Sequence, residues 1–474
     1  MMISKLARRC LGSTALVGAV ALGLGHSHAR ADTLADALVG AYTHSGLLDQ
    51  NRALLRAADE DVPLALSALR PIINWSAGFT QSFGNSRSTF GTTSLESTDL
   101  SVGLAASLQL FDGGADRARV EAAKEIVLAT RGTLLNVEQT LLLNTVSAFV
   151  NVIQQENFVA LSQNNLRLLQ EELRAANDRF EVGEVTRTDV SLAEAAVADA
   201  RSNVANSQAE LIQAQAAYTN FVGRPPGRLS PLPTLPSVET RIPVAQAFAV
   251  RNHPEMETAR RQVAANELLV TAANKDLLPV VTLDGTLGLE ENFGEPDSLQ
   301  SGSVGVNLTG PIYQGGALSA LIRQAMANRD ASRGNLHNVR HLVQQDVVNA
   351  ISDLEAARAS LAASERQIRA ARIAFQGVRE EATLGARTTL DVLDAEQDLL
   401  DAETNRIAAQ ASQYIAAYSV LESMGLLTAQ RLRLPVQIYD PAAYYNLVKD
   451  GPAKRSKQGK ALDRVLEALQ VDEF

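Results

Sequence analysis

The chain carries one unit twice, offset by 202 residues: Phe111-Asp112-Gly113-Gly114-Ala115 recurs as Tyr313-Gln314-Gly315-Gly316-Ala317, and Gly183 with Asp189-Val190 recurs as Gly385 with Asp391-Val392. The fold therefore has to be built of two like halves. Between each Gly-Gly and its partner glycine lies a long apolar-periodic run, and just before each Gly-Gly sit two stretches that alternate apolar with small or polar residues. Very long helices and strands share each half. The prolines agree: none lies between Pro71 and Pro225 or between Pro311 and Pro435, while Pro225 to Pro243 is proline-dense. Helices can run unbroken through the first two regions, and the third reads as a linker.

Hydrophobic residues make up 46% of the 474 but aromatic residues only 4%, so the interior has to be built from Ala- and Leu-rich helices. The N-terminus has a basic start (Lys5, Arg8, Arg9), an apolar run from Leu11 to Leu24 and Ala29-Arg30-Ala31 before Asp32, which is the pattern of a secretory signal peptide over residues 1–31. Cys10, the single cysteine, falls inside it, so the mature chain is expected to have neither disulfide nor lipid anchor. Loss of this segment removes four cations and no acids, taking the formal charge from −10 to −14. Such acidity argues against nucleic acid as a partner. No later stretch approaches the ~18 uncharged apolar residues of a membrane helix, so any span has to be made of strands.

Four segments have the alternation of membrane strands, at about 72–83, 100–110, 280–290 and 303–312. In the first, Ile73, Trp75, Ala77 and Phe79 alternate with Asn74, Ser76, Gly78 and Thr80, and the others repeat the pattern. The polar connections Gly84 to Thr98 and Glu291 to Gln300 read as outward loops. Four strands cannot close a transmembrane barrel, which has at least about 8, so the barrel has to be shared between chains as a dimer or a trimer.

The helices carry one heptad register in both halves. Leu354, Ala357, Leu361, Ser364, Ile368, Ala371, Phe375, Val378 and Ala382 correspond, 202 residues earlier, to Val152, Gln155, Val159, Ser162, Leu166, Leu169, Leu173, Ala176 and Phe180. A helix from Ala115 to Val182 would be about 100 Å long. Second helices near Thr188 to Val222 and Leu390 to Ser423 return antiparallel, and shorter ones near Leu34 to Leu69 and Val244 to Leu278 precede the strands. A soluble helical bundle would explain the heptads but neither the strands nor the export signal.

Two exported, acidic halves of this form resemble the TolC family of outer-membrane channels. Gly385-Ala386-Arg387-Thr388-Thr389-Leu390-Asp391-Val392-Leu393-Asp394 resembles the family's second coiled-coil tip, and Arg179 to Gly183 with Thr188-Asp189-Val190 resembles the first. Leu434-Pro435-Val436-Gln437-Ile438-Tyr439-Asp440-Pro441 is similar to members associated with protein secretion. The resemblance covers roughly Thr33 to Asp450. It implies a fold mainly α with membrane β: two repeats of long antiparallel coiled-coil helices plus four transmembrane strands per chain. A homotrimer would form a twelve-stranded barrel and an α-helical periplasmic tunnel. The domains are then a first repeat over 32–224 with its tip about 183–189, a Pro-rich linker over 225–243, a second repeat over 244–434 with its tip about 385–391, and a C-terminal periplasmic segment over 435–474.

The implied function is an outer-membrane exit channel of a tripartite efflux or type I secretion system, embedded in outer-membrane lipid. Its partners would be a periplasmic adaptor and an inner-membrane ABC or RND pump. The resemblance also implies a gate ion pair between Asp189 and Arg387 and a pore-lining acidic ring of Asp391 and Asp394. Asp398 continues that stripe by spacing, as does Asp401. Adaptor-docking tips fall at Val182-Gly183-Glu184 and Leu384-Gly385-Ala386. A basic tail, Lys449 to Lys460 with an amphipathic run at Ala461 to Gln470, departs from the family pattern and is expected to be disordered.

No phosphate loop, H-E-x-x-H or cysteine nucleophile is present, so neither catalysis nor a cofactor is expected. His337 and His341 read as a surface pair rather than metal ligands, and His44 and His253 as helix-end polar residues. The competing classes are a periplasmic coiled-coil scaffold without channel activity and a hydrolase with an unrecognised site.

Overall fold

The computed structural model describes residues 31–293 and 298–471. Of the signal-peptide reading over residues 1–31, all but Ala31 lies outside them, Cys10 included. The chain runs α1 (Leu34–His44), α2 (Gly46–Ser67), β1 (Ile72–Ser88), β2 (Gly91–Phe111), α3 (Ala115–Glu181) and α4 (Arg187–Val222). It then repeats the series as α5 (Ile242–Asn252), α6 (Pro254–Lys275), β3 (Val280–Asn292), β4 (Ser298–Thr309), α7 (Ala317–Thr383) and α8 (Thr389–Ser423), and closes with α9 (Pro441–Val448) and α10 (Lys457–Val471).

Both α3 and α7 are 67 residues long. Each starts after a glycine pair in left-handed conformation: Gly113 and Gly114 have φ of 68° and 84°, and Gly315 and Gly316 have 58° and 85°. Only glycine takes two such residues in succession without steric cost, which is why the strand-to-helix corner carries the repeated Gly-Gly. The heptad positions pack as the register requires: Val152, Leu169, Ala176, Leu354, Ile368, Phe375 and Ala382 are buried. At Ser162 the α3/α4 seam is polar and bonded, Ser207 Oγ donating to Ser162 Oγ at 3.2 Å. Phe180 breaks the pattern, being exposed at the tip where its repeat counterpart Ala382 is buried.

The returning helices end against the short ones. A Cβ on Gly40 of α1 would sit 2.8 Å from Val222 at the end of α4, and one on Gly425, just past α8, 3.0 Å from His253 at the start of α6. His253 is buried and caps α6, its Nδ1 accepting from the Glu255 amide. The main core lies here, where α1, α2, the middle of α3 and the ends of α4 and α8 enclose Leu142, Phe149, Tyr218 and Leu427. Two thin apolar layers, Ala176 with Val190 and Ala193, and Phe375 with Ala382 and Val392, hold the hairpin tips.

The four strands form one antiparallel sheet in the order β1-β2-β3-β4. The register puts Trp75, Leu104 and Leu287 opposite one another on one face, and Ser107, Asp284 and Gly305 on the other. Directly opposed residues share a face, so the apolar and polar alternations of all four strands coincide. Trp75, Phe79 and Val306 on the apolar face are exposed, whereas Asp284 on the other accepts bonds from Ser107 at 2.6 Å, Thr282 at 2.7 Å and Asn307 at 2.6 Å. No helix among the described residues is long and apolar enough to cross a membrane.

Two expectations are corrected. Most of Gly84 to Thr98 is not loop: β1 and β2 stay paired out to Ser88↔Gly91, and β3 and β4 likewise extend to Asn292 and from Ser298. Ser, Thr and Gly carry no apolar face, yet ladder bonding satisfies their backbone groups beyond the lipid. The basic tail is not simply disordered either, since α10 covers Lys457–Val471 where Leu462, Val465 and Leu466 supply one apolar stripe.

Candidate functional site

The residues singled out by sequence gather at the two hairpin tips. Each tip turns on a left-handed glycine, Gly183 at φ 80° and Gly385 at φ 75°, flanked by exposed Val182 and Leu384. Nothing lies within 4 Å of where a Cβ would stand on either glycine, so the demand is on backbone conformation and the outer surface is open.

Three residues on from each glycine, the returning helix opens with the same capping box. Thr186 and Thr388 are the N-caps, and Asp189 and Asp391 the reciprocal carboxylates. Asp189 Oδ2 accepts from the Thr186 amide at 2.9 Å and hydroxyl at 2.6 Å; Asp391 Oδ2 accepts from the Thr388 amide and hydroxyl, both at 2.9 Å. The Thr186 bonds hold the Asp189 carboxyl below the usual range, and the Thr388 bonds, with Arg387 nearby, do the same for Asp391. The repeat thus assigns both aspartates a shared role in starting a helix, which sequence reading had divided between gate and pore.

Arg387 does not bond Asp189 within the chain. Its Nε donates to Glu381 Oε2 at 2.9 Å across the tip turn, and that bond raises its pKa. Glu381 is not engaged in a cap, as Asp189 and Asp391 are, so it is free to take the guanidinium. Arg387 and Asp189 nevertheless line one cleft of about 510 Å³ between the tips, together with Arg179, Glu184 and Thr383. Further along α8, Asp394 and Asp398 are exposed, and Asp401 accepts from Gln397 Nε2 at 2.8 Å.

The residue that sequence reading missed is Glu396. It is 5% exposed, and neither carboxylate oxygen has a hydrogen-bond partner. Burial pushes it up to about 7; Glu172 of α3 adds to the shift and Arg379 of α7 opposes it. Arg379 pairs instead with Glu172 at 3.1 Å, tying the two hairpins together beside Glu396. The signal was available in Val392, Glu396 and Leu399, a charged residue interrupting an apolar i, i+4, i+7 series on α8. Among the described residues no group of three or more His, Cys, Asp or Glu could hold a metal ion.

A sheet with one apolar, exposed face and a polar opposite face, continued by helices of about 100 Å that each pair with a shorter antiparallel partner, defines the class: an outer-membrane channel with a helical periplasmic extension. The model of the outer membrane efflux protein family matches residues 41–224 and 248–426, the two repeats. The chain is 36% identical over 442 residues to outer membrane efflux protein BepC of Brucella suis biovar 1, covering 93% of this chain and 94% of that one. It is 24% identical to outer membrane protein TolC of Vibrio cholerae, over 86% and 94% of the two chains. The solved outer-membrane channel OprN superimposes with a TM-score of 0.72 at 24% identity, over 83% of this chain and 89% of that one. The chain therefore belongs to the outer membrane efflux protein family. It is an outer-membrane exit channel for efflux or secretion, in a family of channels rather than enzymes, which removes the scaffold reading.

Proposed function

We propose that this chain works as a homotrimer, closing three four-stranded sheets into a twelve-stranded barrel and three pairs of helical hairpins into a periplasmic tunnel. A periplasmic adaptor would dock on Val182-Gly183-Glu184 and Leu384-Gly385-Ala386, and an inner-membrane ABC or RND pump would load the tunnel through it. The carrying observation is that the sheet has two unpaired edge strands, β1 and β4, which lipid does not tolerate. An ordinary passage for small molecules is supported by the efflux name of the 36% relative. The closing Leu434 to Pro441 segment favours protein cargo.

The tips are the gate of this proposed tunnel. Arg387 is its latch cation: held by Glu381 in one chain, it stands in the same cleft as Asp189. Both cap bonds of Asp189 fall on Oδ2, so Oδ1 can still accept from Arg387 when neighbouring chains draw the tips together. Asp391, Asp394 and Asp398 then form acidic rings below the latch. Planar-bilayer recording tests both parts. Arg387→Ser should raise single-channel conductance, while Asp394→Asn with Asp398→Asn should weaken cation selectivity at unchanged conductance. Unchanged conductance in the first and unchanged selectivity in the second would remove the constriction from the tips.

A further inference from the structure

The C-terminal helix α10 is the element to which the proposed channel assigns no role. Its position is set by α9, which runs along α2 toward the membrane. Tyr444 Oη donates to Glu60 Oε1 at 2.6 Å, and seven residues later Gly451 meets Pro63 and Arg70, its carbonyl accepting from Arg70 Nη1 at 3.2 Å. Arg70 stands two residues before β1, whose apolar face opens with exposed Ile73 and Trp75. The chain therefore reaches the periplasmic edge of the lipid at Gly451. The six residues to Lys457 span at most about 20 Å, so α10 starts within that distance of the membrane surface.

What arrives there is amphipathic and basic. Leu462, Val465 and Leu466 lie within an arc of about 100° of the helix, and Lys457, Lys460 and Arg464 within about 60° on the opposite side. Val465 is exposed. Leu462 and Leu466 are half-buried; α10 packs beside α9, a Cβ on Gly459 would meet Ala453 and Lys454 of its own connection, and among the described residues no ion pair ties its cations to the body. Residues 449–467 hold six cations and three acids, in a chain whose net charge is −10. A local cationic excess on an acidic protein, placed at the lipid boundary with an apolar stripe, has the charge complement of an anionic phospholipid leaflet.

We propose that α10 is an interfacial anchor: it lies on the periplasmic leaflet of the outer membrane with Leu462, Val465 and Leu466 in the acyl region and its lysines and Arg464 among anionic phospholipid headgroups. Lysine stems snorkel back to that layer from the opposite side of the helix. A polyanionic cell-wall glycopeptide is the other anionic surface at this depth, and the apolar stripe decides against it.

The test is made on the full-length protein with Cys10→Ser and Val465→Cys, labelled with an environment-sensitive fluorophore and reconstituted into bilayers of phosphatidylcholine with or without phosphatidylglycerol. Expected is a blue-shifted emission, quenched by lipid-borne bromine, that grows with the phosphatidylglycerol fraction. Lys454→Glu, Lys457→Glu, Lys460→Glu and Arg464→Glu together should lower that partitioning by on the order of a hundredfold or more. Emission that stays water-like in both bilayers overturns the proposal. So does quenching indifferent to lipid charge and to charge reversal, or a label protected by soluble peptidoglycan fragments and not by phosphatidylglycerol. The lipid comparison uses one protein, so its outcome does not depend on the folding of the reversed variant.

Discussion

Glu396 is the residue where the tips carry a cost. Its folded pKa of about 7 lies above the ordinary 4.5, so the folded chain keeps a proton there that the unfolded chain releases. The stabilising contribution is full below pH 4.5 and is lost as pH rises through about 7. Melting of the helical circular-dichroism signal should therefore fall across that window, and Glu396→Gln should flatten the fall by on the order of 1 kcal/mol after solvent screening. A wild-type melt with no slope there, or a variant with the same slope, would mean that the carboxyl is solvated in the assembly. The capping boxes show the opposite difficulty of reading a sequence. Thr186-x-x-Asp189 and Thr388-x-x-Asp391 are plain N-cap signatures, yet the family resemblance drew attention to charge and away from that local role. Resemblance pointed to these residues, but only geometry showed to which atoms they are bonded.

Among the elements, the strands were the more legible in face and the less in length. Period-two alternation named the apolar faces of all four, because a one-residue register slip would turn each face over. Their ends were hidden, since nothing in Ser86, Thr92 and Gly91 separates a loop from a paired ladder until the partner strand is known. The face assignment predicts an asymmetry. Leu104→Arg places a charge between Trp75 and Leu287 on the lipid side and should cost about 2–4 kcal/mol near the midplane, collapsing the yield of folded protein in outer membranes. Ser107→Arg, beside Asp284 on the other side, should be mild. Equal losses by heat-modifiable gel migration would reverse the faces. The long helices were legible almost to the residue, because proline-free heptads bounded by Gly-Gly and a tip glycine leave little freedom. The C-terminal helix was legible only as an amphipathic run at Ala461 to Gln470 that was expected to be disordered, whereas α10 is ordered from Lys457.

For the whole molecule, the 202-residue repeat carried the architecture: two halves of equal design, each too narrow to close a barrel. Stoichiometry was not legible in the residues, because strand counting alone allows two chains or three. Native mass spectrometry of detergent-extracted protein should give three chains, and loss of assembly on dilution to a detergent-free monomer would remove the shared barrel. Gly183→Trp with Gly385→Trp should leave that trimer and its barrel insertion intact while abolishing export, the ring standing where a partner helix would dock and straining a left-handed turn. Export at the wild-type rate would move adaptor docking away from the tips.

The unbroken length of α3 and α7 bears on how the two ends of the molecule communicate. Each extends about 100 Å from a pair of left-handed glycines, so a tilt of about 3° at that corner would carry the far end about 5 Å sideways. The returning helices lack such an arm, because they stop at Gly223 and Gly425 and hand over to separate pieces. Aim is thus set by one rod of every pair and slack is taken up by the other. With the gate at the tips, as proposed, the glycine corners at the other end of the rods would fix where that aperture points.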